Sequence, residues 1–289
     1  MSRMNRILVI GATGRVGRQV LSQLPATGVR VCALVRDPHT AGLPAHIDVV
    51  RGDLTVAETL DEGLEGIQAV FLVWTAPPAA VGPALERIVR RARRIVFLSS
   101  PYKTDHPFFQ GGQPNPVRAL HAEIERLIET SGCQWTFLRP GIFASNALFW
   151  WAPQVRAGGD VVRWPYLAAP TAPIDERDIA AVAVRALTDD GHTSAEYVLT
   201  GPESLTQFEQ ISTIGEVMGR SVRIEEISPE NASEQITFIP AGPMKMLLGA
   251  WAAAIGQPAL LTQTVAEITG ARPRTFRNWA IDHAAEFRV

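Results

Sequence analysis

The stretch ILVIGATGRVGRQVLSQL, residues 7–24, constrains the fold more than any other part of the chain. An apolar run ends on Gly11, and glycines recur at Gly14 and Gly17. Beyond them Val16, Val20, Leu21 and Leu24 share one helical face. In the spacing G-x-x-G-x-x-G between strand and helix, each glycine has its own task. The first permits the tight turn, the second lets backbone approach a pyrophosphate, and the third lets the helix pack on the strand. Unpaired N–H groups and the dipole at the helix start favour an anion. Glycine spacing alone is weak evidence, but the flanking strand and helix make this a nucleotide-binding turn. Its candidate contacts are Gly11, Thr13, Gly14, Arg15, Val16 and Gly17.

Apolar runs continue at residues 29–35, 47–50, 69–74, 95–99 and 135–138, separated by helical patterns such as Leu120, Ile124, Leu127 and Ile128. The runs are continuous rather than alternating, as expected of strands covered on both faces. Their order predicts an α/β fold: a doubly wound, parallel-sheet Rossmann domain with ligands at the carboxyl ends of the strands. After Pro140-Gly141 the pattern loosens. Residues 149–173 are rich in Trp, Pro and Gly, Asp175 and Asp178 are placed to cap a new helix, and helices dominate beyond Ser204. The expected division is 1–148 plus 168–200 for the nucleotide-binding domain. A small, mostly helical lobe takes 149–167 plus 201–289 and makes a cleft with the strand edge.

Composition narrows the function classes. The 289 residues carry a formal charge of −2, with no polybasic run, which argues against nucleic-acid or membrane-surface binding. The arginines of RIVRRARRIVF read as a solvated helix end. Cys32 and Cys133 are too few for a disulfide framework or a zinc site, and the six histidines are scattered, so no metal is expected. The apolar segment 244–256 is too short to span a bilayer. No signal-type apolar core precedes the glycines, and a cytoplasmic location is the expectation. A homodimer is compatible with all of this.

The ends of the other strands supply further candidates. Arg36 follows the second strand, where a free ribose hydroxyl usually meets an acid. An arginine there, with Arg15 nearby, suits the 2′-phosphate of NADP(H). Alternatively Arg36 is a loop cation and Asp37 accepts from the ribose. Asp53 and Leu54 follow the third strand, where they meet an adenine ring, or where Asp53 caps the next helix. Trp74, Thr75 and Ala76 after the fourth strand, Ser99 and Ser100 after the fifth, and Pro140, Gly141 and Ile142 after the sixth face the nicotinamide half. Phe108, Phe109, Phe143, Phe149 and Trp150 suit a flat, hydrophobic substrate, although core packing explains any one of them as well.

These stretches resemble the NmrA-like branch of the atypical short-chain dehydrogenases/reductases. The resemblance rests on GATGRVG at Gly11, LVRDP at Leu34, GDL at Gly52, HAEIERLIETSG at His121 and TFLRPG at Thr136. It continues through ERDIAAVA at Glu176, YVLTGPESLT at Tyr197 and TFRNWAIDHAAEF at Thr275, and so covers nearly the whole chain. It implies an NAD(P)-binding Rossmann domain with a small C-terminal lobe. Members include quinone reductases, triphenylmethane-dye reductases and nucleotide-sensing regulators. One departure matters: where short-chain dehydrogenases carry Tyr-x-x-x-Lys, this chain has Val117 and His121. His121, Tyr102 and Ser100 are the remaining candidate catalytic groups. His121 is also a candidate holder of the nicotinamide ribose.

The expected activity is NADPH-dependent hydride transfer to a conjugated aromatic or quinonoid small molecule. Such an acceptor spreads the incoming charge and needs less acid help, which is typically worth about 10²–10⁴-fold. The alternatives are a nucleotide-sensing regulator without turnover, or an isomerase or lyase on the same fold.

Overall fold

The computed structural model describes residues 6–110, 115–156 and 161–288. Residues 111–114 of the long loop after the fifth strand, and 157–160 of the Trp-rich stretch, lie outside them. The elements run in the order β1 (Arg6–Ile10), α1 (Arg15–Gln23), β2 (Arg30–Val35), β3 (Asp48–Arg51), β4 (Ala69–Val73), α2 (Val81–Arg91) and β5 (Arg94–Leu98). Then come α3 (Pro107–Gln110), α4 (Pro116–Glu129), β6 (Gln134–Pro140), α5 (Asn146–Trp150), α6 (Ala152–Arg156), β7 (Val161–Trp164), β8 (Pro170–Thr171) and α7 (Glu176–Thr188). The chain closes with β9 (Ala195–Leu199), β10 (Leu205–Thr206), α8 (Gln207–Met218), β11 (Arg223–Glu226), α9 (Pro229–Gln235), α10 (Ala241–Ala254), α11 (Thr264–Thr269) and α12 (Phe276–His283).

Seven strands form one sheet in the order β3-β2-β1-β4-β5-β6-β9. The pairs from β3 through β6 are all parallel, with β1 lying between β2 (Ile7 opposite Val31) and β4 (Ile7 opposite Ala69). Leu8, Ile10, Val70, Leu72, Ile95 and Phe97 pack with Val81, Leu85 and Ile88 of α2 and with Ile124 and Ile128 of α4. The intervening Val9, Phe71 and Val96 are equally buried, so both faces of the sheet are covered. Helices α1 and α7 pack together, and α7 also lies against β4, β5 and β6. This is the doubly wound, Rossmann-type sheet that the continuous apolar runs predict. Its strand order reverses at β1 and β4, which is where ligands bind in such sheets.

The chain divides into two compact units. One comprises 1–100, 116–140 and 176–198; the other comprises 101–115, 141–175 and 199–289. The bounds expected for the lobe, 149–167 and 201–289, fall within the second unit, which also takes 101–115, 141–148, 168–175 and 199–200, all expected in the nucleotide-binding domain. Its core gathers Trp150, Trp151, Trp164, Trp251, Phe276, Trp279 and Phe287. Trp164 donates its indole N–H to Gln207 Oε1 at 2.6 Å, and Gln207 Nε2 donates to the carbonyls of Pro165 and Tyr166. Thr206 and Glu209 cap α8 reciprocally, as Thr275 and Asn278 cap α12. No helix of the described residues is long and apolar enough to cross a membrane.

Candidate functional site

The glycine turn is shaped by contacts that admit no side chain. Gly11 has φ +83°, and a Cβ there would lie 2.6 Å from Val73 Cβ. A Cβ on Gly17 would lie 2.2 Å from the carbonyl oxygen of Gly11. Gly14, in extended conformation, is the N-cap of α1, with no side chain bonded to the helix start and no acid in the first turn. The N–H groups of that first turn have no intrahelical partner and face outward with the positive end of the dipole. Gly14 itself, Thr13 and Arg15 are exposed, while Ala12, Val16 and Gly17 are buried. The turn is therefore a tight stretch of backbone that leads to a helix N-terminus with no side-chain cap, where an anion is favoured.

Arg18, absent from the candidate list, holds this turn from behind. Its Nε donates to the Thr13 carbonyl at 3.0 Å, and its two Nη atoms donate to the carbonyls of Gly42 and Ala41. An arginine among several in an exposed helical pattern gives no sequence sign of such a task.

The ends of β2 and β3 form a groove lined by Arg36, Arg51, Gly52, Asp53 and Thr59, among others. Arg36 is exposed there. Asp37 is turned to its own loop: Oδ1 accepts from the His39 N–H and Oδ2 from the Thr40 hydroxyl, both at 3.0 Å. Those bonds hold its carboxyl below the usual carboxylate range. Asp53 accepts from both the N–H and the hydroxyl of Thr55 at 2.8 Å, which likewise lowers its pKa. A short helical turn, Ala57–Leu60, follows two residues beyond Thr55. Leu54 is buried in the core beside the strands. Trp74 is buried too, and its indole N–H donates to the Ala76 carbonyl at 2.7 Å, fixing the turn after β4; Thr75 is exposed.

At the end of β5 the two serines part ways. Ser99 is buried and donates its hydroxyl to Glu125 Oε1 at 2.6 Å. Ser100 is half-buried, with its Oγ 2.9 Å from His121 Nδ1. The His121 ring also meets Phe97 edge-on at 5.5 Å between centroids. Burial pulls the His121 pKa down while the charge of Glu125 pulls it up, and burial prevails. Burial thus favours the neutral imidazole of His121. Val117, one turn earlier on α4, is exposed. Glu125 in turn accepts from Arg139 of β6, and Arg139 also donates to Glu196 of β9. Burial lowers the Arg139 pKa, but its hydrogen bonds to the two carboxylates outweigh this and raise it. Residues Glu125 and Arg139 escaped sequence reasoning; the one available sign was the four-residue spacing from His121 to Glu125.

The second unit holds a small apolar cavity lined by Phe108, Phe109, Gly141, Ile142, Thr171, Thr200, Leu260 and others. It unites two residues expected near substrate with two expected near cofactor. Phe108 and Phe109 meet edge-on at 5.1 Å. Pro140 is buried as the last residue of β6, and Phe143 is bridged to Ile174. Phe149 is exposed, its ring 6.3 Å from that of Phe238. Trp150 is buried in the tryptophan core, 5.5 Å from Trp251, and presents little surface to a ligand. Tyr102 is half-buried, with the Lys103 ammonium 5.6 Å over its ring.

The chain matches the model of the NmrA-like family over residues 3–262. It is 38% identical over 290 residues to a (4-alkanoyl-5-oxo-2,5-dihydrofuran-3-yl)methyl phosphate reductase of Streptomyces griseus, covering 97% of this chain and 99% of that one. It is 34% identical to an NAD(P)H azoreductase of Xenophilus azovorans, with the same coverage. Among solved structures, triphenylmethane reductase of Citrobacter sp. complexed with NADP(H) superposes with a TM-score of 0.80 at 18% identity, over 96% of this chain and 99% of that one. The match across most of the chain, glycine turn included, makes it a member of the NmrA-like family.

Proposed function

We propose that the protein is an NADPH-dependent reductase of conjugated small molecules. The observation that carries this reading is the glycine cradle opening a chain whose full-length relatives are named as reductases. The turn supports this reading because a Cβ at Gly11 would collide with Val73 and one at Gly17 with the Gly11 carbonyl, so only glycine allows a turn this tight before the helix N-terminus. The α1 N-terminus and Arg15 would hold the pyrophosphate, Asp53 the adenine amino group, and Ser100 with His121 the nicotinamide ribose. Arg36 would meet the 2′-phosphate. The choice of NADPH over NADH is supported by the exposed Arg36 and by Asp37, whose carboxylate is turned to its own loop.

The nicotinamide supplies a hydride equivalent when bound. The chain's own part is to orient, to exclude water and to manage a proton. Neither Tyr nor Lys occupies the usual pair of positions on α4, which carry Val117 and His121. A simple ketone would develop a localised alkoxide with no phenol on that helix to meet it. A quinone, an unsaturated lactone or a cationic dye delocalises that charge, so positioning matters more than acid strength. His121, whose pKa burial lowers and which lies within hydrogen-bond distance of Ser100, would relay the proton. Phe108 and Phe109, which edge a small apolar cavity of the second unit, are side chains that would suit a flat, hydrophobic acceptor.

Anaerobic mixing of the protein with NADPH and a panel of quinones, enones, azo compounds and triphenylmethane dyes tests this. Loss of NADPH absorbance with at least one class is the expected result. Tight NADPH binding without oxidation by any acceptor would overturn the reductase reading and leave a nucleotide sensor.

A further inference from the structure

Two adjacent rungs join the end of β5 to α4. Ser99 donates to Glu125 at 2.6 Å, and the next residue, Ser100, lies 2.9 Å from His121. His121 and Glu125 are one helical turn apart, so the rungs rise from the same helix face. The outer rung is half-buried and belongs to the proposed reductase site. The inner rung is buried, with Ser99 5% and Glu125 1% exposed, and does no chemistry there.

The inner rung is tied further into the sheet. Arg139, 2% exposed on β6, donates Nε to one oxygen of Glu125 at 3.0 Å and Nη2 to the other at 2.5 Å. Its Nη1 and Nη2 also reach Glu196 on β9. One guanidinium thus serves two carboxylates, and four elements meet in the network. Apolar side chains of like volume would hold these elements together as well or better. What the charged network adds is direction: every donor and acceptor is held to one angle.

We propose that Glu125 is a positioning residue for hydride transfer, which fixes the end of β5 against α4 through Ser99 and Arg139 and thereby places the Ser100–His121 pair. This rests on the reductase reading above. The charge of Glu125 also acts directly on His121, opposing the effect of burial.

The test uses the full chain with S99A and E125Q, S99A removing a single hydroxyl and remaining informative where E125Q fails to fold. The first readout needs no turnover: the ring-nitrogen NMR signals of His121, assigned by their loss in H121Q. Both variants are expected to move them. The second is a kinetic cycle with NADPH and a quinone. S99A is expected to lower kcat about tenfold or more with KM for NADPH within about twofold, and to have little further effect in an H121Q background. Unchanged ring signals, or an equal loss of kcat in both backgrounds, would reduce the network to a structural brace and overturn the proposal. A wild-type protein that binds NADPH but oxidises it with none of the acceptors overturns the reductase reading instead, so the two failures are distinguishable.

Discussion

Arg36 and Asp37 are neighbours with opposite fates. The aspartate folds back on His39 and Thr40, whereas the arginine lies exposed in the groove beside Asp53. A charge-assisted hydrogen bond contributes about 1.5–3 kcal/mol, so Arg36→Ala is expected to weaken NADPH about tenfold to a hundredfold and to leave NADH almost unchanged. Titration calorimetry with both nucleotides checks this, and equal losses would remove the 2′-phosphate from the picture. His121 carries a pH signature. Its pKa in the folded protein lies below the ordinary value of about 6.5, so the unfolded chain binds the proton more readily. Stability is therefore full above that value and falls as pH drops toward the folded pKa. Burial lowers His192 in the same direction. Urea midpoints measured between pH 8 and 5 are expected to decline less steeply for His121→Gln than for wild type, with the His192 contribution remaining. Histidine identity was readable at position 121; its neutrality was not, because burial comes from Phe97 and other groups distant in sequence.

Among the elements, α1 and its turn illustrate how local pattern becomes local structure. Gly17 faces the Gly11 carbonyl so closely that Gly17→Ala would force backbone apart, at a cost of at least about 1–3 kcal/mol. Denaturant melts should show that loss, together with weaker NADPH binding; an unchanged affinity would mean the cradle does not hold phosphate. Arg139 is the counterpart on β6. Arg139→Leu leaves Glu125 buried without its guanidinium, and breaking such a pair costs about 3–5 kcal/mol. Urea melts check this, and a midpoint close to wild type would show that the pair contributes little to stability. The strand ends themselves were legible, since continuous apolar runs stop where the sheet stops. The cross-links between them, Arg18 to the loop at Ala41 and Gly42 and Arg139 to Glu125 and Glu196, were not.

At the scale of the whole molecule, the two units are assembled from interleaved segments. The core of the second draws Phe108 from one segment, Trp150 and Trp164 from another, and Trp251, Trp279 and Phe287 from a third. A fragment of residues 199–289 therefore lacks much of the apolar surface its helices cover. It is expected to show little far-UV helix signal and poor amide dispersion by NMR, and a well-dispersed spectrum would show that its helices suffice. In the full chain, NADPH at about 100 times its Kd should add about 2.7 kcal/mol to stability by mass action. A thermal melt that ignores NADPH would contradict the cradle.

What the sequence determined alone was periodic or local. The glycine turn, the doubly covered strands and the helix that carries Val117 and His121 depend on spacings of a few residues, and short-range sterics and hydrophobic periodicity write those directly into the chain. Only the tertiary structure decided which strand-end groups stay accessible and which face inward. Ser99 and Ser100 are adjacent and chemically identical, yet one is spent on a buried carboxylate and the other meets the histidine. Phe109 and Trp150 are both large and aromatic, yet one edges a cavity and the other fills a core. The physical reason is the same in each case. Burial and hydrogen-bond partners come from residues far away in sequence, and no local pattern encodes where those will be.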